Sequence, residues 1–453
     1  MINEVGMTMD NNNISTEISN EVEKELTKGK KIIKKIRKTL KSIGPGFVTG
    51  AADDDPSGVA TYSVAGAQYG YQMTWMSLFL LPAMISIQEM CGRIGIVTGK
   101  GLAGVIKEHY SKKLLYFMVM LLIVANIINI GADLGIIAAC IQMLIGQNFY
   151  MWLIVVAIAI ILLEIAVPFK TYSKYLKWLG LSLCVYIITA FMVNQDWNTI
   201  VFSTLIPHIQ FNSVYIMTLI GFIGTTISPY LFFWQASNEV EEEIEENKIE
   251  DFGETPKVRI TDIRRMRFDT KTGMIFSNMI SFFIILTTAA TLHASGITNI
   301  ETVQQAALSL KPLAGNFAYI LFAVGVIGIG WQAIPVLAGS VGYAVSETFN
   351  FKEGLSKPFL KAKAFYIIIA LATAVGVVIN LFHINIIQAL VYAAVVNGIA
   401  SIPLIFLIIK MSSNKKIVGN RKTQKISRVV AWITFLFITL SVCVMLYTMF
   451  FLK

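Results

Sequence analysis

Eleven long apolar runs dominate this chain of 453 residues. Each is close to the length of about 20 residues that an α-helix needs to cross a bilayer. Lipid offers the backbone no hydrogen bonds, and the runs are too long for barrel strands, so they predict eleven transmembrane helices. The runs lie at about 46–69, 73–97, 114–145, 149–167, 175–193, 214–238, 272–292, 315–346, 364–382, 385–409 and 429–452.

Composition agrees with a membrane-embedded helical bundle. Hydrophobic residues make up 55% of the chain and charged residues only 14%, whereas a soluble domain carries roughly 25% charge. These values exclude a disordered chain, a coiled coil and an ordinary soluble enzyme. The expected fold class is therefore an all-α membrane protein in the cell membrane.

Positive charge indicates orientation rather than a nucleic-acid partner. The net charge is +9, yet 34 of the 37 Lys and Arg residues lie in segment 24–41 and in alternate loops. This asymmetry is typical of cytoplasmic loops, so we expect the N-terminus inside and the C-terminus outside. Within loop 239–271, the acidic run Glu239–Glu246 is expected to be a solvated loop segment.

The first apolar run is interrupted by polar residues near its centre. Asp53, Asp54 and Asp55 are followed by Pro56, which removes a backbone hydrogen bond, and by Gly58, which weakens a helix. Carboxylates at membrane depth are costly and normally serve a function. A simple proline kink, with Asp55 as a helix cap, would leave the other two aspartates unexplained.

The sixth run is interrupted in a similar way, between residues 221 and 237. Transporters pair such discontinuous helices in two inverted halves, and spans 1 and 6 would be the first members of two five-helix repeats. The polar and helix-breaking residues of this run are Gly224, Thr225, Thr226, Ser228 and Pro229.

Two stretches, 44–71 and RIGIVTGKGLAGVIKEHY at 93–110, resemble the NRAMP (natural resistance-associated macrophage protein) divalent-metal transporters. The resemblance implies a LeuT-like inverted-repeat bundle that works by alternating access around broken spans 1 and 6. It also implies that Asp55 is a metal ligand. The expected parts are a tail with a basic amphipathic stretch at 1–41, the 5+5 core at 42–410, and a cytoplasmic loop with the eleventh helix at 411–453.

Departures from the family pattern indicate a particular branch. The family's asparagine ligand is replaced by Gly58 and its methionine ligand by Ser228, while its two histidines of the sixth helix are replaced by Tyr230 and Gln235. In the third helix Asp133 is kept, but the family's glutamate three residues later is absent. This pattern resembles the NRAMP-related magnesium transporters.

Oxygen donors without a soft sulfur suit Mg²⁺ or Mn²⁺, and Mg²⁺ usually keeps several of its waters. The small residues Gly58 and Ser228 would leave room for them. The candidate metal contacts are Asp55, the space beside Gly58, the backbone carbonyl near Thr225, the Ser228 hydroxyl, Thr226 and Asp54. Further candidates along the pathway are Asp53, Asp133, Tyr230 and Gln235, whereas Asn126, Asn129 and Asn397 either line the pathway or pack between helices.

The predicted function is uptake of a partly hydrated divalent cation without proton coupling, since the family's histidines and glutamate are replaced. The cation is the substrate, and we expect no resident cofactor, no nucleic acid and no obligatory protein partner beside the lipid bilayer. The alternatives are a proton-coupled Mn²⁺ or Fe²⁺ transporter of the usual NRAMP type, a LeuT-like amino-acid symporter, and a membrane enzyme with paired aspartates.

Overall fold

A computed structural model describes residues 45–167, 171, 181–382 and 384–451. This part of the chain is helical and contains no β-strand. The α-helices of eight or more residues are α1 Pro45–Asp53, α2 Pro56–Tyr69, α3 Thr74–Thr98, α4 Leu102–His109, α5 Lys112–Ile145, α6 Phe149–Ala166, α7 Cys184–Met192, α8 Trp197–Leu205, α9 Ser213–Thr226, α10 Pro229–Glu245, α11 Ile260–Thr291, α12 Ala318–Phe349, α13 Lys363–Ile379, α14 Ile386–Ser413 and α15 Lys425–Phe451.

Nine helical segments within the described ranges are long and apolar enough to cross a membrane. One of them, Pro56–Thr98, covers parts of two predicted spans, which a 3₁₀ turn at Gly70–Met73 separates. The fifth predicted span, 175–193, lies partly outside the described residues. The predicted tail 1–41 and most of loop 168–178 lie outside them as well, so the count of eleven and the orientation stay predictions.

Glycines allow the half-helices on either side of the breaks to approach their neighbours closely. A Cβ atom on Gly50 of α1 would lie 2.3 Å from the carbonyl carbon of Gly273 in α11. One on Gly224 of α9 would lie 1.9 Å from the Ala394 oxygen and 2.3 Å from the Gly398 nitrogen of α14. Real Cβ atoms do not come so close, so these positions exclude larger residues.

The acidic run Glu239–Glu246 is not a solvated loop, and that expectation was wrong. α10 continues through Glu245, and Glu239, Glu241 and Glu243 are buried. Each carboxylate has a hydrogen-bond donor, as buried charged groups require. Glu241, for example, accepts from the Tyr343 hydroxyl and from the Leu355 nitrogen, both at 2.7 Å.

Candidate functional site

The first break separates α1 from α2 at Asp54 and Asp55. Asp55 has an extended backbone, with φ −69° and ψ 170°, and it caps α2. Its Oδ1 accepts from the Gly58 nitrogen and from the Ser57 hydroxyl, both at 2.7 Å. Pro56 occupies the first helical position, where its missing N–H costs nothing.

The second carboxylate oxygen of Asp55 faces two other helices. Oδ2 accepts from Asn129 Nδ2 of α5 at 2.8 Å and from the Tyr230 hydroxyl of α10 at 3.4 Å. Asp55 is only 1% exposed, and no Lys or Arg among the described residues pairs with it. A buried carboxylate is costly unless it is paired or binds a metal, so this arrangement favours a cation ligand.

The second break lies between α9, which ends at Thr226, and α10, which begins at Pro229. Ser228 precedes α10, but its side chain makes no capping bond to that helix. Instead its hydroxyl lies 2.7 Å from the Gly224 carbonyl oxygen and 2.8 Å from the Thr225 carbonyl oxygen, to which it donates. The predicted carbonyl ligand and the predicted hydroxyl ligand therefore bond to each other in this conformation.

The Thr225 side chain connects the two breaks. A Cβ atom on Gly58 would lie 3.0 Å from Thr225 Oγ1 and 3.4 Å from Asp55 Oδ1. Thr225 is 1% exposed, and its hydroxyl has no hydrogen-bond partner within the described ranges. The sequence predicted the backbone carbonyl of Thr225 as a ligand, and the structure places its side-chain hydroxyl beside Gly58 and Asp55 as well.

The other two aspartates of the first break face a different helix. Ser277 Oγ of α11 lies 2.6 Å from Asp53 Oδ2 and 3.1 Å from Asp54 Oδ1. Successive helical residues point about 100° apart, which agrees with this separation from Asp55. Asp53 and Asp54 therefore form a neighbouring carboxylate pair with Ser277, and their other oxygens have no partner in the described part of the chain.

The hydroxyl of Thr226 also turns away from Asp55. It donates to the Phe222 carbonyl oxygen at 2.6 Å and lies 3.3 Å from the Tyr62 hydroxyl. Gln235 lies farther along α10, where its Nε2 donates to Glu239 Oε1 at 2.8 Å. No hydrogen bond joins Gln235 to Asp55, so it does not belong to the centre in this conformation.

Tyr230 and Asp133, by contrast, lie at the centre. The Tyr230 hydroxyl, besides facing Asp55, donates to the Ala52 carbonyl oxygen at the end of α1 at 2.9 Å. Asp133 Oδ2 lies 3.4 Å from Asn129 Nδ2. Asn129 is thus shared by both aspartates, and Asn397 of α14 donates to its Oδ1 at 3.3 Å.

The sequence alone left the role of the asparagines open. Asn126, one turn before Asn129 on α5, donates to the Leu337 carbonyl oxygen and to Ser340 on α12 and is a packing residue. Asn129 instead joins the centre. The spacing of Asn126, Asn129 and Asp133 places all three on one face of α5, so the sequence carries no signal that distinguishes Asn129 from Asn126, and only the packing of α5 separates their roles.

Apart from Asp55 and Asp133, the donors at the centre are neutral. Among the described residues no group of three or more His, Cys, Asp and Glu side chains is arranged to hold a metal. A cation at this centre would therefore have Asp55 as its charged ligand, with neutral oxygens and water completing its shell. Asp55, Thr225 and Ser228 are each 1% exposed, so the centre is closed to solvent on both sides.

A family model described as natural resistance-associated macrophage protein-like matches residues 46–448. A similar curated protein is the divalent metal cation transporter MntH of Yersinia pestis strain Pestoides F. The two sequences are 27% identical over 318 residues, which cover 68% of this chain and 73% of MntH.

Solved structures show the fold. A manganese transporter from Eremococcus coleocola superposes with a TM-score of 0.67 at 16% identity, covering 90% of this chain and 86% of that one. Mhp1, a nucleobase-cation-symport-1 family transporter, gives a TM-score of 0.55 at 11% identity, with coverage of 90% and 92%. The fold of the chain is therefore LeuT-like, as the sequence resemblance implied.

Proposed function

The chain belongs to the natural resistance-associated macrophage protein-like family, and from that premise we propose that it carries Mg²⁺ into the cell, with Mn²⁺ as a substitute. It is a multi-pass membrane transporter and not an enzyme. The names of the relatives point to divalent metals in general and to manganese in particular. The choice of Mg²⁺ among these cations is our proposal, and it corresponds to the magnesium branch of the family.

The observation that carries the proposal is the donor set at the two breaks. Asp55 supplies one carboxylate, and Thr225 and Tyr230 present hydroxyl oxygens close to it. The Ser228 hydroxyl belongs to the second break, where it donates to the Thr225 carbonyl oxygen. Mg²⁺ is a hard cation with oxygen ligands, whereas a thioether favours softer transition metals. Ser228 stands where the family has its sulfur ligand, so the centre lacks the group that favours softer transition-metal ions over Mg²⁺.

The closed centre supports alternating access. A Mg²⁺ ion that keeps part of its hydration shell does not reach residues that are 1% exposed, so the helices around the breaks must separate. α1 is held to α11 by a bond of 2.7 Å from the Gly46 nitrogen to Asp269 Oδ2, in addition to the Gly50–Gly273 contact. Release of this half-helix would open one side of the centre.

Proton coupling is not part of the proposal. Proton relays in membranes use chains of Asp, Glu and His, and the described histidines lie away from the breaks. His293, for example, bonds through Nδ1 to the Ala67 carbonyl oxygen, at the opposite end of α2 from Asp55. Entry of a divalent cation through about 100 mV gains roughly 4–5 kcal/mol, at 2.3 kcal/mol for each charge, which drives uptake without protons.

Purified protein in liposomes tests the function directly. Entry of Mg²⁺, Mn²⁺ and Ca²⁺ is measured under an inside-negative potential, with a pH-sensitive dye inside. We expect Mg²⁺ and Mn²⁺ to enter, Ca²⁺ to be excluded or slow because it needs more ligands, and internal pH to stay constant. If Mg²⁺ at millimolar concentration neither enters nor competes with Mn²⁺, the proposed substrate is wrong.

A proton-coupled Mn²⁺ transporter is the second candidate. The retention of Asp133, which shares Asn129 with Asp55, favours it, because this carboxylate is available as a proton acceptor. Internal acidification in proportion to cation entry would identify this second mechanism. Competing amino acids serve as the control for a symporter, and we expect them to have no effect.

A further inference from the structure

We propose that Asn129 supplies an amide oxygen ligand to the transported cation and so replaces the amide that is missing at Gly58. The inference rests on the proposed function, since it names a ligand of the same centre. By the family pattern an asparagine belongs at position 58, three residues after the metal-binding aspartate. In this chain the amide comes instead from the buried Asn129 of α5.

The side-chain amide of Asn129 lies next to the carboxylate that would bind the cation. Its Nδ2 lies 2.8 Å from Asp55 Oδ2, and the residue is fully buried. A cation that binds Asp55 on this oxygen must occupy the space where the Asn129 amide group now lies. The absence of a side chain at Gly58, beside Thr225 Oγ1 and Asp55 Oδ1, leaves the rest of the coordination shell to Thr225 and water.

Half a turn of the Asn129 amide about its last torsion exchanges Oδ1 and Nδ2. This torsion is broad and roughly two-fold, so the rotation is inexpensive. Without a cation, the NH₂ group satisfies the buried carboxylate of Asp55. With a cation on Asp55, the NH₂ group would be repelled and the carbonyl oxygen attracted, because an amide oxygen is a favourable ligand for hard cations.

One unpartnered oxygen is available to accept the NH₂ group after it turns. Asn397 Oδ1 is buried and has no hydrogen-bond partner among the described residues. Asn397 already contacts the Oδ1 side of Asn129 through its own Nδ2 at 3.3 Å, whereas Asp133 lies on the Nδ2 side at 3.4 Å and loses this contact on the turn. A matching half turn of Asn397 would replace its donor with its acceptor. Both orientations of Asn129 can therefore be satisfied.

Binding measurements on purified full-length protein test the ligand role. We expect Asn129→Ala to raise the Kd for Mn²⁺ and Mg²⁺ by about 10- to 100-fold. Asn126→Ala is the matched control, because Asn126 lies on the same helix and is equally buried, but bonds only to α12. Its Kd should equal that of the unaltered protein.

Asn129→Asp separates a ligand from a mere hydrogen-bond donor. Aspartate has the same size and keeps an oxygen, but in its ionised form it cannot donate to Asp55. If the oxygen of residue 129 binds the cation, Asn129→Asp should bind Mn²⁺ at least as tightly as the unaltered protein. If Asn129 acts only as a donor, binding by Asn129→Asp should fall at least as far as in Asn129→Ala, and the inference is overturned.

A spectroscopic measurement detects the amide ligand directly in the unaltered protein, and the two alanine variants assign it. With asparagine ¹³C-labelled at Cγ and Mn²⁺ bound, electron–nuclear double resonance should show a ¹³C coupling that persists in Asn126→Ala and is absent in Asn129→Ala. If the protein binds Mn²⁺ but shows no such coupling, the inference that Asn129 is a ligand is refuted, while the proposed function stands. If the unaltered protein bound neither Mn²⁺ nor Mg²⁺, the proposed function itself would fail.

Discussion

The two broken helices meet at one centre, but their breaks are built in opposite ways. At the first break the Asp55 side chain accepts from the helix that follows it, through the Gly58 nitrogen. At the second break the Ser228 side chain donates to the helix that precedes it, through the carbonyl oxygens of Gly224 and Thr225. One break thus satisfies a helix N-terminus with a carboxylate, and the other satisfies a helix C-terminus with a hydroxyl.

Because of this difference, the two breaks contribute different groups to cation binding. The first break holds the charge, which is fixed by donors from Ser57, Gly58, Asn129 and Tyr230. The second break holds neutral oxygens, whose charge is too small to bind a divalent cation alone. Changes at the first break should therefore alter whether a cation binds, and changes at the second should alter which cation binds and how stable the fold is.

The largest effect should come from Asp55. Asparagine caps helices as well as aspartate does, so Asp55→Asn removes the charge and keeps the cap of α2. We expect transport at the level of empty liposomes and a melting temperature close to that of the unaltered protein. Asp55→Ala should also abolish transport and lose about 1 kcal/mol of stability with the cap. Cation flux through a well-folded Asp55→Asn protein would show that the charge at the first break is not required for cation binding.

A large change in selectivity should follow when both breaks are altered together. Ser228→Met with Gly58→Asn introduces a soft sulfur and an amide, and we expect flux competition assays to show stronger Cd²⁺ and Mn²⁺ binding and weaker Mg²⁺ binding. Gly58→Ala is the control for crowding alone, because its Cβ would lie 3.0 Å from Thr225 Oγ1. It should weaken all cations alike. An unchanged ion ranking in a folded double variant would contradict the proposed selectivity.

The positions of both breaks could be predicted from sequence, since proline and small or polar residues have strong local effects on helices. Pro56 and Pro229 each begin the second half-helix, at positions that proline favours. The capping of the second half-helix by Asp55 was also predictable, because an aspartate directly before a proline at the first helical position favours a cap. These are local properties, and the structure agrees with them.

Contacts between distant residues could not be predicted in the same way. The bond from Ser277 to Asp53 joins residues 224 positions apart, and the contact of Asn129 with Asp55 depends on how α5 packs. The burial of Glu241 depends on Tyr343, which lies 102 residues later. The charge of Glu239–Glu246 can be seen in a single sequence, but the partners that bury Glu239, Glu241 and Glu243 cannot.

Ser277→Ala should have a moderate effect on stability and little effect on cation choice. It removes the shared donor of Asp53 and Asp54, and leaving buried carboxylate oxygens unsatisfied costs about 1–3 kcal/mol. We expect a lower melting temperature in detergent with the ranking of Mg²⁺ and Mn²⁺ unchanged. Ser281→Ala is the matched control, since Ser281 lies one turn later on α11 and bonds only to the Asn278 carbonyl oxygen. If Ser277→Ala reversed the ranking of Mg²⁺ and Mn²⁺, Asp53 and Asp54 would belong to the cation-binding centre.

Ser228→Ala should have the smallest effect, because at the second break no charge is lost. The variant removes one hydroxyl that donates to two carbonyl oxygens at the end of α9. Such a hydrogen bond contributes about 1 kcal/mol to the free energy of unfolding. The Thr225 carbonyl oxygen then becomes available as a ligand, so we expect Mg²⁺ flux to be retained while the melting temperature falls slightly. Thr218→Ala, which removes a similar hydroxyl bond to the Val214 carbonyl oxygen on α9, is the control for stability. If Ser228→Ala abolished flux as completely as Asp55→Asn, both breaks would be equally essential, and the assignment of charge to one and neutral oxygens to the other would not explain transport.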